Sequence, residues 1–235
     1  MNIIVTGASR GIGAELARYF VAQGHQVLGV SRNGDAMETI RAELNAASGE
    51  GVFHCLAVDL TRDSALEAVS AFIKSEWGRV DRLVNNAGML LHQPFGATND
   101  AQVQKMFEVN LLAPGRLIRR ILPYLQEVKK GHVVNIGSMG GYQGSAKFPG
   151  LAYYSASKAA LASLTECLAE EYREQGISFN CLALGAVQTD MLAEAFPGYE
   201  APLGAAAMAK HIGHFVLEGH EVYNGKVLPV SLSSP

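Results

Sequence analysis

The sequence predicts an α/β fold, a Rossmann-like, doubly wound parallel sheet with helices on both faces. Short apolar runs rich in Val and Ile alternate with longer stretches of helical periodicity. The apolar runs carry almost no charge, as strands of a parallel sheet do when helices cover both of its faces. Strict alternation of strand and helix implies right-handed crossovers, and these join parallel strands.

Seven segments are predicted to be strands because each is short and almost wholly apolar. In chain order they are Asn2–Val5, Gln26–Ser31, Val52–Val58, Arg82–Asn85, His132–Ile136, Ile177–Leu184 and Lys226–Val230. The stretches between them have helical periodicity and are predicted to be helices. These are Gly11–Gln23, Ala36–Ala47, Ser64–Trp77, Ala101–Leu125, Ala152–Gln175 and Ala205–Leu217.

One domain over residues 1–235 is the simplest organisation, because no repeat, charge block or Pro/Ser-rich linker divides the chain. With 49% apolar residues, the chain can bury a large core. The least regular segment is Thr189–Leu203, where two prolines and a glycine interrupt any helix. Since ligands of open α/β sheets bind beyond the carboxyl ends of the strands, we expect a substrate lid near residues 189–204.

Composition excludes several classes of partner. A formal charge of −3 provides no positive field for nucleic acid. No apolar run approaches the roughly 18 residues that span a bilayer, and the first strand begins too early for a cleavable leader. Cys55, Cys167 and Cys181 are odd in number and far apart, which indicates reduced, mostly buried thiols. We therefore expect a cytoplasmic protein without nucleic-acid or membrane partners.

A glycine turn directly follows the first strand and opens the first helix. Glycine permits backbone angles that other residues avoid, so main-chain N–H groups can approach a pyrophosphate at the positive end of the helix. The spacing Gly-x-x-x-Gly-x-Gly is weak evidence alone, since such turns also serve only to pack a helix on a strand. The residues predicted to hold the dinucleotide here are Gly7, Ser9, Arg10, Gly11, Ile12 and Gly13.

The end of the second strand indicates which dinucleotide is bound. A carboxylate there would bind a ribose 2′-hydroxyl, whereas an arginine would pair with a 2′-phosphate. The strand ends in Arg32 rather than an acid, and Arg10 can reach the same phosphate. Asp35, the nearest carboxylate, looks like a helix cap. The cofactor is therefore predicted to be NADP(H); the alternative is two ordinary surface arginines.

Two further strand ends supply candidate cofactor contacts. Asp59 closes the third strand and could bind an adenine amino group or cap the helix that begins near Asp63. After the fourth strand, asparagine amides can tie neighbouring loops together while Gly88 passes close to a ribose; a plain turn would use the same residues. The candidates from these two strand ends are Asp59, Leu60, Asn86, Ala87 and Gly88.

A tyrosine and a lysine four residues apart are predicted to share a helix face. Of the eight tyrosines, only Tyr154 has a lysine, Lys158, at this offset. Ser138 follows the fifth predicted strand and so stands at the ligand-binding edge of the sheet. Either member of the pair alone would be an interfacial aromatic or an exposed lysine, and the combination with Ser138 indicates a proton-transfer group.

Carbonyl reduction explains why these residue types belong together. Hydride addition leaves an alkoxide that an acid must protonate. A free phenol titrates about three pH units above neutrality, roughly 4 kcal/mol, and an ammonium about 4 Å away supplies that order of energy. Lys158 is therefore expected to lower the pKa of Tyr154, while Ser138 donates to the carbonyl oxygen.

Together these motifs resemble the classical short-chain dehydrogenase/reductase family over nearly the whole chain. The resemblance implies a catalytic set of Asn110, Ser138, Tyr154 and Lys158, with Asn110 at a helix distortion that holds a proton-relay water. It also implies that Tyr154 and Lys158 touch the cofactor and that the enzyme forms a homodimer or homotetramer built on long helices. The further cofactor contacts it implies are Gly185, Val187 and Thr189.

Three departures from the family pattern leave the substrate and the oligomer packing open. Leu184 stands where proline is usual, and the loop between Ser138 and Tyr154 is longer than is common. The customary Asp-Gly-Gly after the last strand is replaced by residues 231–234.

The predicted activity is NADP(H)-dependent reduction of a carbonyl or oxidation of the corresponding secondary alcohol, with a 3-oxoacyl thioester as the leading substrate class. Arg119 and Arg120 could then dock an acyl carrier. The alternative is a non-catalytic NADP-binding redox sensor or scaffold, which would need only the nucleotide site. No metal site is expected, because His211, His214 and His220 lack a ligand pattern and are interpreted as surface histidines.

Overall fold

The computed structural model describes residues 1–46 and 50–232. Its seven strands form one fully parallel sheet in the order β3-β2-β1-β4-β5-β6-β7. They are β1 Asn2–Thr6, β2 Gln26–Ser31, β3 Val52–Ala57, β4 Arg82–Asn85, β5 Gly131–Ser138, β6 Ile177–Leu184 and β7 Lys226–Val230. The predicted doubly wound sheet is confirmed. Its winding reverses between β1 and β4, and ligands of such sheets bind at that point.

Eight α-helices surround the sheet in the described chain. They are α1 Gly11–Ala22, α2 Gly34–Ala46, α3 Asp63–Phe72, α4 Asp100–Phe107, α5 Ala113–Gln126, α6 Ala152–Glu171, α7 Asp190–Ala195 and α8 Ala205–Glu218. Two segments predicted as continuous helices contain π-helical turns, at Ile73–Trp77 and Glu108–Leu112. Ala47, predicted to end a helix, and Ser233 and Ser234 lie outside the described residues.

Both faces of the sheet are buried, as the apolar strands require. Successive residues of β1 point to opposite sides, so Ile3 and Val5 pack with α1 and α8, and Ile4 packs with α3 and α5. Phe20 is fully buried in the first layer and Phe179 in the second. The two layers cover both faces of the sheet and leave the carboxyl ends of the central strands to form the site.

A buried polar cluster lies at the opposite, amino-terminal edge of the sheet. Arg82, only 4% exposed, donates to the carbonyl oxygens of Val216 at 2.9 Å and Lys130 at 2.7 Å. His132 Nδ1 lies 3.1 Å from the same Val216 oxygen, and Asn180 Nδ2 lies 3.0 Å from His132 Nε2. Because the amide donates to Nε2, the ring is neutral with its proton on Nδ1. The cluster fastens the end of α8 to the sheet.

Two interpretations of polar residues need correction. His220 is half-buried, with its ring centroid 5.6 Å from that of His132, and is therefore not a surface histidine. Among the thiols, Cys181 is buried and Cys55 half-buried, but Cys167 is exposed. Of the helices within the described residues, not one is long and apolar enough to cross a membrane.

Candidate active site

A cleft of about 450 Å³ opens where β1, β4, β5 and β6 end. Of the site residues predicted from the sequence, all but two line it. Those that do are Gly7, Ser9, Arg10, Gly11, Ile12, Arg32, Asp59, Leu60, Asn86, Ala87, Gly88, Ser138, Tyr154, Lys158, Gly185, Val187 and Thr189. Gly13 and Asn110 do not line the cleft, but each contacts a residue that does: Gly13 packs against Gly7, and Asn110 is hydrogen-bonded to Met89.

The glycine turn adopts the shape its sequence predicts. Gly7 and Gly11 have positive φ values of 68° and 56°, which other residues rarely adopt. Gly13 has a packing role, because a Cβ there would lie 2.2 Å from the carbonyl oxygen of Gly7. Asn86 ties the turn to the end of β4 by donating its side-chain amide to Thr6 O at 2.9 Å. Sequence reasoning missed Thr6, whose Oγ1 accepts two main-chain N–H groups from that loop.

The start of α1 is suited to an anion. Its N-cap, Arg10, has extended backbone, and the described residues provide no side-chain cap for the first turn. Gly11 and Ile12 of that turn line the cleft at the positive end of the helix dipole, the usual setting of a dinucleotide pyrophosphate. A Cβ on Gly11 would only touch Thr189, at 3.5 Å, so it is the positive φ of Gly11, and not crowding, that favours glycine there.

The two arginines predicted to bind a 2′-phosphate stand in different surroundings. Arg32 is exposed at the end of β2 and lines the cleft. Arg10 pairs through Nη1 with Glu194 at 3.1 Å and Asp190 at 3.4 Å, both exposed carboxylates of α7. Lys105, which sequence reasoning missed, also lines the cleft and adds a third cation.

Neither aspartate near the nucleotide end is a helix cap, which corrects the interpretation of Asp35 and removes one of the two alternatives for Asp59. Asp59 accepts from Thr61 N at 3.0 Å and Thr61 Oγ1 at 2.8 Å, so it closes its own turn. Burial raises the pKa of Asp59, but the Thr61 hydrogen bonds and the charges of Lys105 and Arg32 outweigh burial and lower it overall. The cap of α2 is Asn33, whose Oδ1 accepts from Ala36 N at 3.1 Å, and Asp35 lies in the first turn.

Ser138, Tyr154 and Lys158 meet at the end of β5. The strand runs two residues further than predicted and ends at Ser138, whose Oγ accepts from Gly140 N at 3.1 Å. Tyr154 lies in the first turn of α6 and Lys158 one turn later. Lys158 is buried and donates through Nζ to Ile136 O at 2.8 Å.

Burial dominates the titration of this pair. It raises the pKa of Tyr154, and a hydrogen bond with Ser138 opposes the rise only in part. Burial also lowers the pKa of Lys158 to about 8. The expected lowering of the Tyr154 pKa by Lys158 is therefore not what this environment produces, because desolvation disfavours both charged forms.

Asn110 lies in the π-helical turn Glu108–Leu112 and is fully buried. Its Oδ1 accepts from Met89 N and its Nδ2 donates to Met89 O, both at 2.8 Å. Nδ2 also lies 3.0 Å from Ser157 Oγ on α6. The side chain thus ties the loop after β4 to α6. A Cβ on Gly88 would lie 3.4 Å from Lys158 Nζ and 3.5 Å from Asn110 Oδ1, so these polar groups flank the glycine.

The segment predicted as a lid contains a short helix, α7, which sequence reasoning missed. Thr189 begins it by accepting from Leu192 N at 3.3 Å. Met191 and Leu192 line the cleft together with Met89 and Leu90 after β4, so this end of the cleft is apolar.

Family membership follows from comparison with known proteins. A model described as short chain dehydrogenase matches residues 1–200. The chain belongs to this family. The 3-oxoacyl-[acyl-carrier-protein] reductase FabG of Salmonella typhimurium is 35% identical to this short chain dehydrogenase over 188 residues, covering 80% of the chain and 74% of the relative.

Two solved structures extend the similarity to the whole sheet. A short chain dehydrogenase from Shigella flexneri complexed with NADP matches with a TM-score of 0.85 and 26% identity, covering 97% of this chain and 95% of that one. A 3-ketoacyl-(acyl-carrier-protein) reductase from Brucella melitensis complexed with NADH matches with a TM-score of 0.86 and 24% identity, covering 98% and 96%. The latter supports the fold alone.

Proposed function

We propose that this short chain dehydrogenase reduces a carbonyl with NADPH, or oxidises the corresponding secondary alcohol, using Tyr154 as the general acid or base. The observation that carries the proposal is that Ser138, Tyr154 and Lys158 line the same cleft as the glycine turn. A sensor or scaffold would need only the nucleotide half of that cleft.

Each residue has a distinct role in this proposal. NADPH, when bound, supplies the hydride. Ser138 holds the carbonyl oxygen beside the phenol, and Tyr154 gives its proton to the alkoxide that forms. The raised pKa of Tyr154 keeps the phenol protonated at neutral pH, as reduction requires. Once Tyr154 has given up its proton, the ammonium of Lys158 stabilises the resulting phenolate, and Asn110 positions the loop that carries Gly88.

Replacing the phenol tests the assignment. Tyr154→Phe should lower the rate of reduction by at least about 100-fold, because the alkoxide then lacks a positioned acid. NADPH consumption measured with ketones, aldehydes, quinones and acyl thioesters gives the rates, and fluorescence titration gives the cofactor affinity, which should stay within about twofold. Retained turnover would refute Tyr154 as the acid. If the unaltered protein turns over no carbonyl in this panel, the sensor function gains support.

NADP(H) is proposed over NAD(H) because cations surround the nucleotide end. Arg32, Arg10 and Lys105 line the cleft there, and the residue that directly follows β2 is Arg32 rather than an acid. Arg32→Ala should weaken NADPH binding by about tenfold or more and NADH binding by less than about twofold, since only NADPH carries the 2′-phosphate. Dissociation constants for both cofactors measure this. Arg62→Ala, in an exposed arginine before α3, is the matched control, and equal losses for both cofactors would place the 2′-phosphate elsewhere.

The proposed substrate is a 3-oxoacyl thioester. The relative from Salmonella typhimurium bears the name of such a reductase. The apolar end of the cleft at Met89, Leu90, Met191 and Leu192 suits an acyl chain. Acetoacetyl thioesters should then give higher kcat/KM than simple ketones of equal size.

We further propose one dinucleotide-binding catalytic domain over residues 1–235 with a lid near residues 189–204, working in the cytoplasm as a homodimer or homotetramer. The single sheet supports one domain. Leu112, 49% exposed where the π-helical turn meets α5, supports a helical interface. Light scattering on the purified protein measures the oligomeric state.

A further inference from the structure

His92 joins three separate segments at the substrate end of the cleft. It lies in the loop after β4, and its side chain is exposed. Nδ1 lies 2.9 Å from the carbonyl oxygen of Ala195, the last residue of α7. Nε2 lies 3.1 Å from the carbonyl oxygen of Pro149, in the loop between β5 and α6. The ring also packs on Phe196, with centroids 4.7 Å apart.

Both ring nitrogens therefore face groups that can only accept hydrogen bonds. A neutral imidazole has one N–H, so it can satisfy either Ala195 O or Pro149 O but not both. The imidazolium donates from both nitrogens, and its charge strengthens each bond. Protonation of His92 thus completes a bridge from α7 through the imidazole ring to the β5–α6 loop.

The β5–α6 loop is shaped to admit this ring. Gly150 has a φ of 82°, and a Cβ there would lie 2.4 Å from Cδ2 of His92. Gln93 N donates to Gly150 O at 2.9 Å, which holds the two segments in register. Gly150 leaves room for the ring, and the bond from Gln93 fixes the loop beside it, so the contact is more than a chance approach of a surface side chain.

The charged groups on the packed elements are engaged with other partners. On α7, Asp190 and Glu194 pair with Arg10. In the β5–α6 loop, Lys147 Nζ donates to Gly140 O and Tyr142 O within its own loop.

The phenol that follows the β5–α6 loop is also engaged. Tyr153, at the start of α6, stacks on Phe95 with centroids 5.1 Å apart. The number of hydrogen bonds to Ala195 O and Pro149 O therefore depends on whether His92 itself is protonated.

We propose that His92 is a positioning residue, a protonation-dependent clasp that holds α7 against the β5–α6 loop and so keeps the lid closed over the substrate. The clasp stands on the geometry alone. Its effect on substrate rests on the proposed reductase function.

Hydrogen exchange tests the clasp without reference to catalysis. After correction for intrinsic rates, amides of residues 189–196 should exchange about fivefold more slowly at pH 6.0 than at pH 8.0, because a charge-assisted bond is added. His92→Phe retains the packing on Phe196 and should abolish the difference. His92→Gln, which keeps an uncharged donor, should give equal protection at both pH values. The matched control His214→Phe, in an exposed histidine of α8, should leave the difference intact.

Equal protection of α7 at the two pH values in the unaltered protein would overturn the clasp. So would a difference that persists in His92→Phe.

A kinetic measurement connects the clasp to the lid. With an acetoacetyl thioester and saturating NADPH, KM should be about threefold lower at pH 6.0 than at pH 8.0, and His92→Phe should remove this dependence with little change in kcat. A pH-independent KM in the unaltered enzyme would show that the clasp does not affect substrate binding. If the protein turns over no carbonyl, the exchange result still decides the clasp, so the two proposals fail separately.

Discussion

Tyr154 and Lys158 are both displaced toward their neutral forms by burial. The pKa of Tyr154 is raised and that of Lys158 is lowered to about 8. At neutral pH the phenol therefore holds the proton that reduction consumes, while the amine still carries most of its charge. Because the phenol has little tendency to ionise by itself, the proposed reaction depends on the charge that Lys158 retains.

The pH dependence of kcat should report that charge. For reduction, kcat is expected to be level from pH 6.5 to about 8 and then to fall roughly tenfold per pH unit as Lys158 loses its proton. Steady-state rates at saturating NADPH and substrate, from pH 6.5 to 9.5, measure this. Lys210→Met, in an exposed lysine of α8, should leave the profile unchanged. A kcat that stays level to pH 9.5 would show that the lysine charge does not govern the step.

At the scale of single elements, the observed helices differ from the predicted ones where a helix is distorted. Apolar periodicity predicts one helix over Ala101–Leu125, and the structure divides it at the π-helical turn Glu108–Leu112. An extra residue in a turn shifts the later side chains around the axis but leaves the apolar pattern recognisable. Asn110, whose side chain makes three hydrogen bonds, lies in this π-helical turn. Helical periodicity in the sequence does not predict such a turn.

Removing the Asn110 amide should loosen this turn. Asn110→Leu keeps the volume but leaves Met89 N and O without partners, which we expect to cost about 2–3 kcal/mol of the free energy of unfolding. Chemical denaturation measures the loss. Asn99→Ala, in the exposed cap of α4, should cost only about 1 kcal/mol. Equal losses in the two variants would mean that the buried amide contributes no more than an exposed cap.

For the whole molecule, the cluster of Arg82, His132 and Asn180 is the polar anchor opposite the cleft. It joins β4, β5 and β6 to the end of α8, elements that are far apart in the chain. Burial lowers the pKa of His132 to about 3, with the Val216 hydrogen bond opposing the shift. In the unfolded chain the pKa of histidine is about 6.5. Between about pH 3 and pH 6.5 the unfolded chain therefore binds more protons than the folded protein.

Acid should accordingly weaken the fold. The His132 contribution is complete above about pH 6.5 and is lost as pH falls toward 3, by on the order of 4 kcal/mol in the free energy of unfolding. Urea denaturation from pH 4 to 8 measures the slope. His132→Gln should flatten it, although the variant is less stable at pH 7, and the exposed control His214→Gln should not. An unchanged slope in His132→Gln would assign the acid sensitivity to other groups.

The sequence alone was sufficient for the sheet, its parallel pairing and the family, because these follow from local patterns: buried apolar strands, a glycine turn and a Tyr–Lys spacing. Four of the seven strands have the predicted ends. β5 extends beyond its apolar stretch because Gly137 and Ser138 still pair with β6.

Only the tertiary structure could reveal contacts between segments distant in the chain. The pairing of Arg10 with α7, the two carbonyl oxygens around His92 and the burial of His132 all join residues more than fifty positions apart. The pKa of Tyr154 is raised by burial, whereas the sequence predicted that Lys158 would lower it. Helical spacing specifies which residues share a face, whereas desolvation depends on everything that packs around them.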